Sequence, residues 1–379
     1  MLNMKTLNDT IKEILDIYGL GHLMTEIPAP EPAPIPVPQP QPEPVLEQAQ
    51  AAVPVPQPQP EPALEQVPAP DPQPTPAANP SPPPFISYVT FNRLGLTIKN
   101  LNNILDSNED FEMHIIDCNS KDNTWDYINS LQDERIQSKT RFDLNRGPIY
   151  VLNYNLAKRK PNQYFITIDS DVYIKTKNWI SRFIEVFEAF PNVGLLGLTR
   201  DNPYPRHMPP IIPRVNGNAA YLELRDAQIG GIMDFVPGSL QVLRPELITE
   251  IGYWSEENGY GDAELSPRIT HYTSFKAGFI TTVEIDMTQS IGCDECQGQE
   301  ICALNKSIKT CYMLSKQANM NDSFVGNFKW KYLETFKEMA EGGRSAYCAS
   351  INDPASIVGH KYNHEWANEN FGYYISRSN

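Results

Sequence analysis

The chain has 379 residues and a formal net charge of −15 with no basic run, which excludes a nucleic-acid surface driven by counterion release. Of its 35 prolines, 23 fall between Pro28 and Pro84, so the chain after Pro84 has ordinary globular content and can bury a sizeable core. The first residues, MLNMKTLNDTIKEIL, lack the layout of a signal peptide, and no apolar run approaches the ~20 residues that span a bilayer. The expectation is a soluble, cytoplasmic protein.

In residues 1–27, Leu7, Ile11, Ile14, Leu15 and Tyr18 recur at helical spacing, and Gly19 and Gly21 follow as stop signals. One short amphipathic helix is marginal alone and would want a partner or a second copy to cover its apolar face; a frayed terminus is the alternative. Residues 28–84 alternate proline with Ala, Gln, Val and Glu, and PVPQPQPEP occurs twice. Proline removes backbone donors and few large apolar side chains remain, so this segment reads as a disordered, polyproline-type linker.

From Phe85 the pattern turns to strand and helix in alternation, the mark of an α/β sheet. Phe85–Thr90 reads as a buried strand, followed by a helix striped with Leu94, Ile98, Leu101 and Leu105. Met113–Ile116 is the next strand, before a helix bearing Trp125, Ile128 and Leu131. Tyr164–Ile168 is a third, backed by a helix with Trp179, Ile180, Phe183, Phe187 and Phe190, and Val193–Leu198 is another strand. Sheets of this kind bind ligands at the carboxyl ends of their strands. There the sequence places Thr90-Phe91-Asn92-Arg93, then Asp117 to Thr124, then Asp169-Ser170-Asp171.

The segments VTFNR, IIDCNSKDNT, NRGPIYVLN, FITIDSD and YGDAELSPR occur in that order. Together they resemble the GT-A glycosyltransferases, and within them glycosyltransferase family 2, over about Phe85 to Phe279. The resemblance implies a three-layer α/β/α nucleotide-sugar-binding domain. It also implies transfer of a single sugar from a nucleoside-diphosphate sugar, with uridine as the default base, to a hydroxyl on a glycan, protein or small molecule, with inversion. Processive members carry Q-x-x-R-W and membrane helices, and neither is found here. Asn119 stands where the family has glycine, a position asparagine fills because it tolerates a left-handed turn.

Extended alternation would point Asp169 and Asp171 to one side, and two adjacent carboxylates call for a cation. Hard divalent ions such as Mn2+ or Mg2+ prefer such oxygens and bridge to phosphates. By resemblance Asp171 is the more direct ligand, with Asp169 toward the ribose or a bridging water. The donor site implied by the family takes in Thr90, Asn92, Arg93, Asp117, Ser120, Asn145, Gly147, Asp169, Ser170 and Gly238. Asp117 could instead cap a helix, and the Asn145–Gly147 turn could be a loop-to-helix cap. Asp262 matches the second acid of the family's E-D pair, the general base of inverting members, and Glu264 matches the later acid. Gly261 replaces the first acid. A helix-capping Asp262, and a non-catalytic nucleotide-sugar or glycan-binding module tethered by the proline-rich arm, are the alternatives.

Beyond residue 279 the resemblance fades. Cys293, Cys296, Cys302 and Cys311 fit a structural Zn2+ site, with disulfides or free thiols as alternatives. The expected organisation is a helix over 1–27, a linker over 28–84, a GT-A domain over 85–279 and a cysteine-containing extension over 280–379.

Overall fold

The computed structural model describes residues 82–198, 211–225, 227–230, 234–287 and 322–376. The helix expected over 1–27, nearly all of the proline-rich linker and the four clustered cysteines lie outside the described residues.

In chain order the elements are β1 (Phe85–Thr90), α1 (Leu94–Leu105), β2 (Glu112–Asp117), α2 (Thr124–Ser130), β3 (Ile136–Arg141), α3 (Pro148–Leu156), β4 (Phe165–Asp169), β5 (Val172–Ile174), α4 (Trp179–Ala189) and β6 (Val193–Leu198). Then follow β7 (Ile211–Asn216), β8 (Ala219–Leu224), β9 (Leu240–Leu243), α5 (Pro245–Ile251), α6 (Asp262–Tyr272), β10 (Lys276–Ile280), β11 (Ile285–Met287), α7 (Asp322–Ala340), α8 (Pro354–Gly359) and α9 (His364–Ile375).

Nine strands form one sheet in the order β3-β2-β1-β4-β9-β6-β10-β8-β7. Strands β3, β2, β1 and β4 are mutually parallel, as are β6 and β10, whereas β9 runs antiparallel between β4 and β6. Because β1, β4 and β6 are covered on both faces, they are near-continuous apolar runs with no polar alternation. One face packs α1, α2 and α4 through Leu101, Ile104, Ile128, Phe183 and Phe187. The other packs α3, α5 and α6 through Ile149, Leu247, Ile251, Leu265 and Ile269. The fold is the expected α/β/α sandwich.

Two features depart from the sequence reading. The polar strand β3 (IQSKTR) and the β7–β8 hairpin were not anticipated; the outermost strands β3 and β7 are largely exposed and lack an apolar run. The chain also does not stay extended through Ser170-Asp171; it turns there, and β5 leaves the main sheet to pair with β11.

The C-terminal helices pack onto α6 by an aromatic cluster of Tyr260, Phe328, Tyr332, Phe336 and Tyr373. Tyr260 stacks on Tyr332, whose hydroxyl donates to the Ala263 carbonyl at 3.1 Å. Two fully enclosed acids just before α6 anchor the rest. The Glu256 carboxylate accepts from Asn153 Nδ2 (3.0 Å), Ser350 Oγ (2.6 Å), the Ile351 amide (3.0 Å) and the Tyr362 hydroxyl (2.6 Å). Glu257 takes a two-pronged contact from Arg344 at 2.6 and 3.0 Å, with both side chains 2–3% exposed. Removing one member of such a pair strands a buried charge. Arg344→Leu is therefore expected to lower unfolding free energy by ~3–5 kcal/mol, read from the urea midpoint. An unchanged midpoint would show that residues 344–376 are not built into the domain.

Candidate active site

Register brings the polar strand ends into one row. Thr90 is paired with Asp117 across β1 and β2, and Val89 with Asp169 across β1 and β4. The loops leaving β1 and β2 are laced together. The Asn92 amide donates to Ser120 Oγ (2.7 Å), the Lys121 amide to Asn92 Oδ1 (2.8 Å) and the Leu94 amide to Asp122 Oδ2 (3.1 Å). This lacing holds Asn92 and Arg93 in left-handed conformations, φ 57° and 64°. Asn119 also adopts the left-handed region, φ 69°, at the position where the resembling family carries glycine.

The sequence-predicted residues divide by what they face. Thr90 is buried, its hydroxyl 3.0 Å from that of Thr97. Asp117 is also buried: it is held by the Ser120 amide at 3.0 Å, by the Ser120 hydroxyl, and by Arg141 at 3.4 Å. Burial pushes its carboxyl up against the lowering pull of Ser120 and Arg141. Asp117 does not cap α2; it organises the loop, and half-exposed Arg141 carries the charge to the surface. Asn145 closes a turn by accepting the Gly147 amide at 2.9 Å, and Gly147 sits at φ 87° before α3.

Asp169 is exposed and Asp171 buried. Surrounding protein, then the charges of Asp171 and Asp262, push the Asp169 carboxyl well above the usual range, while Arg93 pulls it down. Asp171 is ion-paired with Arg93, Nη1 to Oδ2 2.9 Å. The turn between the two acids is held from below by Asn100, fully buried on α1, whose Nδ2 donates to the Ser170 carbonyl at 2.5 Å.

A single turn ties these acids to Asp262. The Asp169 amide donates to the Ser239 carbonyl at 2.9 Å, and the neighbouring Gly238 amide donates to Asp262 Oδ2 at 2.8 Å. The Val236 amide donates to Ser266 Oγ at 2.9 Å, one helical turn further along α6. Asp262 Oδ1 accepts the Ala263 amide at 2.9 Å, so the carboxylate is fixed at the first turn of α6.

Glu264 is not brought to this site. It is fully buried and bonded to Arg268 at 2.7 and 3.1 Å, and Arg268 in turn holds the carbonyls of Ile251 and Tyr253. Helical geometry puts position 264 on a different face from 262, which turns Glu264 into the core.

Three neighbours escaped the sequence reading: Asn100, Arg141 and Tyr374. The polar Asn100 lies on a face with Leu96, Leu101 and Ile104, a break in an apolar stripe that could have flagged it. Tyr374 reaches in from α9, packed so closely on Gly147 that a Cβ there would lie 2.3 Å from its ring. Burial, Tyr373 and the charge of Asp262 push its hydroxyl up.

Two hard carboxylates, Asp169 and Asp171, could hold a divalent cation. Among the described residues no group of three or more His, Cys, Asp or Glu converges to cage one. A Mg2+- or Mn2+-type ion is commonly bound in this way, by one or two carboxylates with phosphate oxygens and water completing the shell, so the donor set fits. His360 stacks on Tyr347 and His364 lies edge-on to Tyr362. A polar recess of about 660 Å³ lined by Leu105 to Asp110 and Asp133 to Arg135 lies at the amino ends of β2 and β3, away from the strand ends that carry the site, and contains none of these residues. Among the described residues no helix is long and apolar enough to cross a membrane.

The family described as glycosyl transferase family 2 matches residues 86–252. Similar solved structures include TarS of S. aureus, at 17% identity and TM-score 0.39, covering 52% of this chain and 35% of that one. The mannosyltransferase PcManGT from Pyrobaculum calidifontis, in complex with GDP-Man and Mn2+, is 15% identical with TM-score 0.43, covering 78% and 85%. GalNAc-T7 with UDP, GalNAc and Mn2+ is 14% identical with TM-score 0.36, covering 55% and 44%. The chain thus spans about a third of the length of the first of these. No curated protein sequence matches it.

Proposed function

Because residues 86–252 match glycosyl transferase family 2, we propose that the protein transfers one sugar from a nucleoside-diphosphate sugar to an acceptor hydroxyl, with inversion. The observation that carries this reading is the Gly238-Ser239 turn, hydrogen-bonded on one side to the Asp169 backbone and on the other to the Asp262 carboxylate. It sets a candidate diphosphate site and a candidate base at opposite ends of one short strap, as a single displacement requires.

In this account Asp169 and Asp171 hold the divalent cation, which supplies charge neutralisation for the departing diphosphate when bound. Uridine is the default base. The laced loop of Asn92, Arg93 and Ser120 carries the donor, with Asp117 acting through Ser120 and Arg141. Asp262 accepts the acceptor hydroxyl's proton. Glu264 serves as the internal counter-ion of Arg268, not as a second base. The C-terminal helices complete the acceptor side, with Tyr374 forming a wall between Gly147 and Asp262.

Calorimetry with UDP, GDP, CDP and dTDP tests the donor site. At least one is expected to bind about tenfold tighter with Mn2+ than with chelator, a coupling of ordinary size between linked sites. Equal binding under both conditions would remove the cation from the account.

A further inference from the structure

The buried face of α1 carries Leu96, Leu101 and Ile104, and among them stands Asn100, fully enclosed. Its Nδ2 donates to the Ser170 carbonyl at 2.5 Å, whereas its Oδ1 has no hydrogen-bond partner among the described residues. A buried amide satisfied at one end only adds little net stability, because the desolvated oxygen offsets the bond. Stability alone therefore does not account for an asparagine in this stripe. The Ser170 carbonyl and the Asp171 amide belong to one planar peptide unit, so fixing that carbonyl sets the root from which the Asp171 side chain departs. Helix α1 also grips the chain beyond the turn. Asn103 accepts the Ile174 amide on its Oδ1 at 2.9 Å, and the Lys99 ammonium lies over the Tyr173 ring, 4.6 Å from its centre. These contacts bear on a segment that the nine-stranded sheet does not hold, since β5 lies outside it and pairs with β11. Where the chain enters the turn, the Asp169 amide is bonded to the Ser239 carbonyl at 2.9 Å. The backbone is thus held before, within and after the turn that carries both acids.

Resting on the proposed cation site, we infer that Asn100 and Asn103 are positioning residues that keep the Asp169–Asp171 turn stiff, and thereby make the site select a small octahedral cation over a larger one. Mg2+ demands near-ideal octahedral geometry at short range, and Mn2+ takes the same kind of oxygen shell, whereas Ca2+ accepts longer and more irregular shells. Two carboxylates carried on a fixed turn offer their oxygens at one spacing. Loosening the turn removes that restriction: a short-range ion loses its fitted ligands, while a larger ion tolerant of irregular geometry loses little. Neither asparagine has to touch the cation or the donor. Both act through backbone, Asn100 through the Ser170 carbonyl and Asn103 through the Ile174 amide. Ligands placed directly on an ion depend for their precision on groups of this supporting kind.

The test uses the full-length protein and measures by calorimetry the affinity for UDP, GDP, CDP or dTDP, whichever the wild type binds. Each titration is run in saturating Mn2+ and again in saturating Ca2+. Wild type is expected to bind the nucleotide about tenfold tighter with Mn2+ than with Ca2+, within the usual range of coupling between bound ligands. Asn100→Leu, close in shape but unable to donate, should lose most of that ratio through weaker binding with Mn2+. Asn103→Ala, at a half-buried position and with the best helix former, should move the ratio the same way by a smaller factor. Both are measured well below their melting temperatures, where a purely structural role would lower stability yet leave the ratio of the folded protein unchanged. A wild-type ratio in both variants, or in Asn103→Ala alone if Asn100→Leu does not fold, overturns the positioning role and leaves the proposed function standing. Equal wild-type affinity with Mn2+ and Ca2+ likewise overturns it. Wild-type binding that neither cation improves over chelator overturns the proposed cation site and the inference with it.

Discussion

Asp171→Ala is expected to weaken Mn2+-dependent nucleoside diphosphate binding on the order of 100-fold or more, because no neighbouring oxygen can take its place. The acid is buried, it is met by Arg93 at 2.9 Å, and the turn that presents it is fixed by Asn100. Asp169→Ala, at the exposed acid of the pair, should weaken binding less. Arg93 is partly exposed to solvent, so the Asp171 variant should fold; its melting temperature is the control. Wild-type affinity in both variants would refute the cation assignment.

Asp262→Asn is expected to slow sugar release from the donor by at least ~100-fold while donor affinity stays near wild type, since general-base catalysis contributes typically 10²–10⁴-fold. The structure adds a qualification to this choice of variant. Both carboxylate oxygens accept a backbone amide, from Gly238 and from Ala263, and an asparagine offers only one acceptor oxygen. One amide then faces the new NH2 group, a local cost of ~1–3 kcal/mol that should show as a modest fall in melting temperature. Asp262→Ser, too short to reach the Gly238 amide, would lose activity as well as the strap. An Asp262→Asn protein that turns over at the wild-type rate would move the base elsewhere.

The central sheet was legible because its strands are buried on both faces and so write their burial as apolar runs; Phe85–Thr90 and Val193–Leu198 are found as read. The edge strand β3 was not, since IQSKTR faces solvent along much of its length and carries no such record. In α1 the expected stripe of Leu94, Ile98, Leu101 and Leu105 was rotated from the observed face of Leu96, Thr97, Asn100, Leu101 and Ile104. Two polar residues on the buried face misled the reading: Thr97 bonds Thr90, and Asn100 supports the Ser170 turn.

The row of strand ends carrying Thr90, Asp117 and Asp169 followed from parallel register alone. What could not be read was which way each side chain faces. Asp262 and Glu264 are two residues apart in the same motif, yet helical rotation sends one to the Gly238 strap and the other to Arg268 in the core. Asp169 and Asp171 likewise differ in exposure because the chain turns between them, where extended alternation would have made them equivalent. Tyr374 lies more than 200 residues from Gly147 in sequence, and only the packing of α9 brings them together.

The most direct test of the account is whether the purified protein consumes a nucleotide sugar. With Mn2+ and a panel of UDP-, GDP-, CDP- and dTDP-sugars, proton NMR should show at least one donor converted to free nucleoside diphosphate and free sugar, since transferases of this kind leak sugar to water. The conversion should stop with chelator and with Asp171→Ala. A newly released sugar of inverted anomeric configuration would support the single displacement. Binding of a donor with no turnover under any of these conditions would instead mark a binding module, and consumption that persists unchanged in chelator and in Asp171→Ala would contradict the cation-held diphosphate on which the account rests.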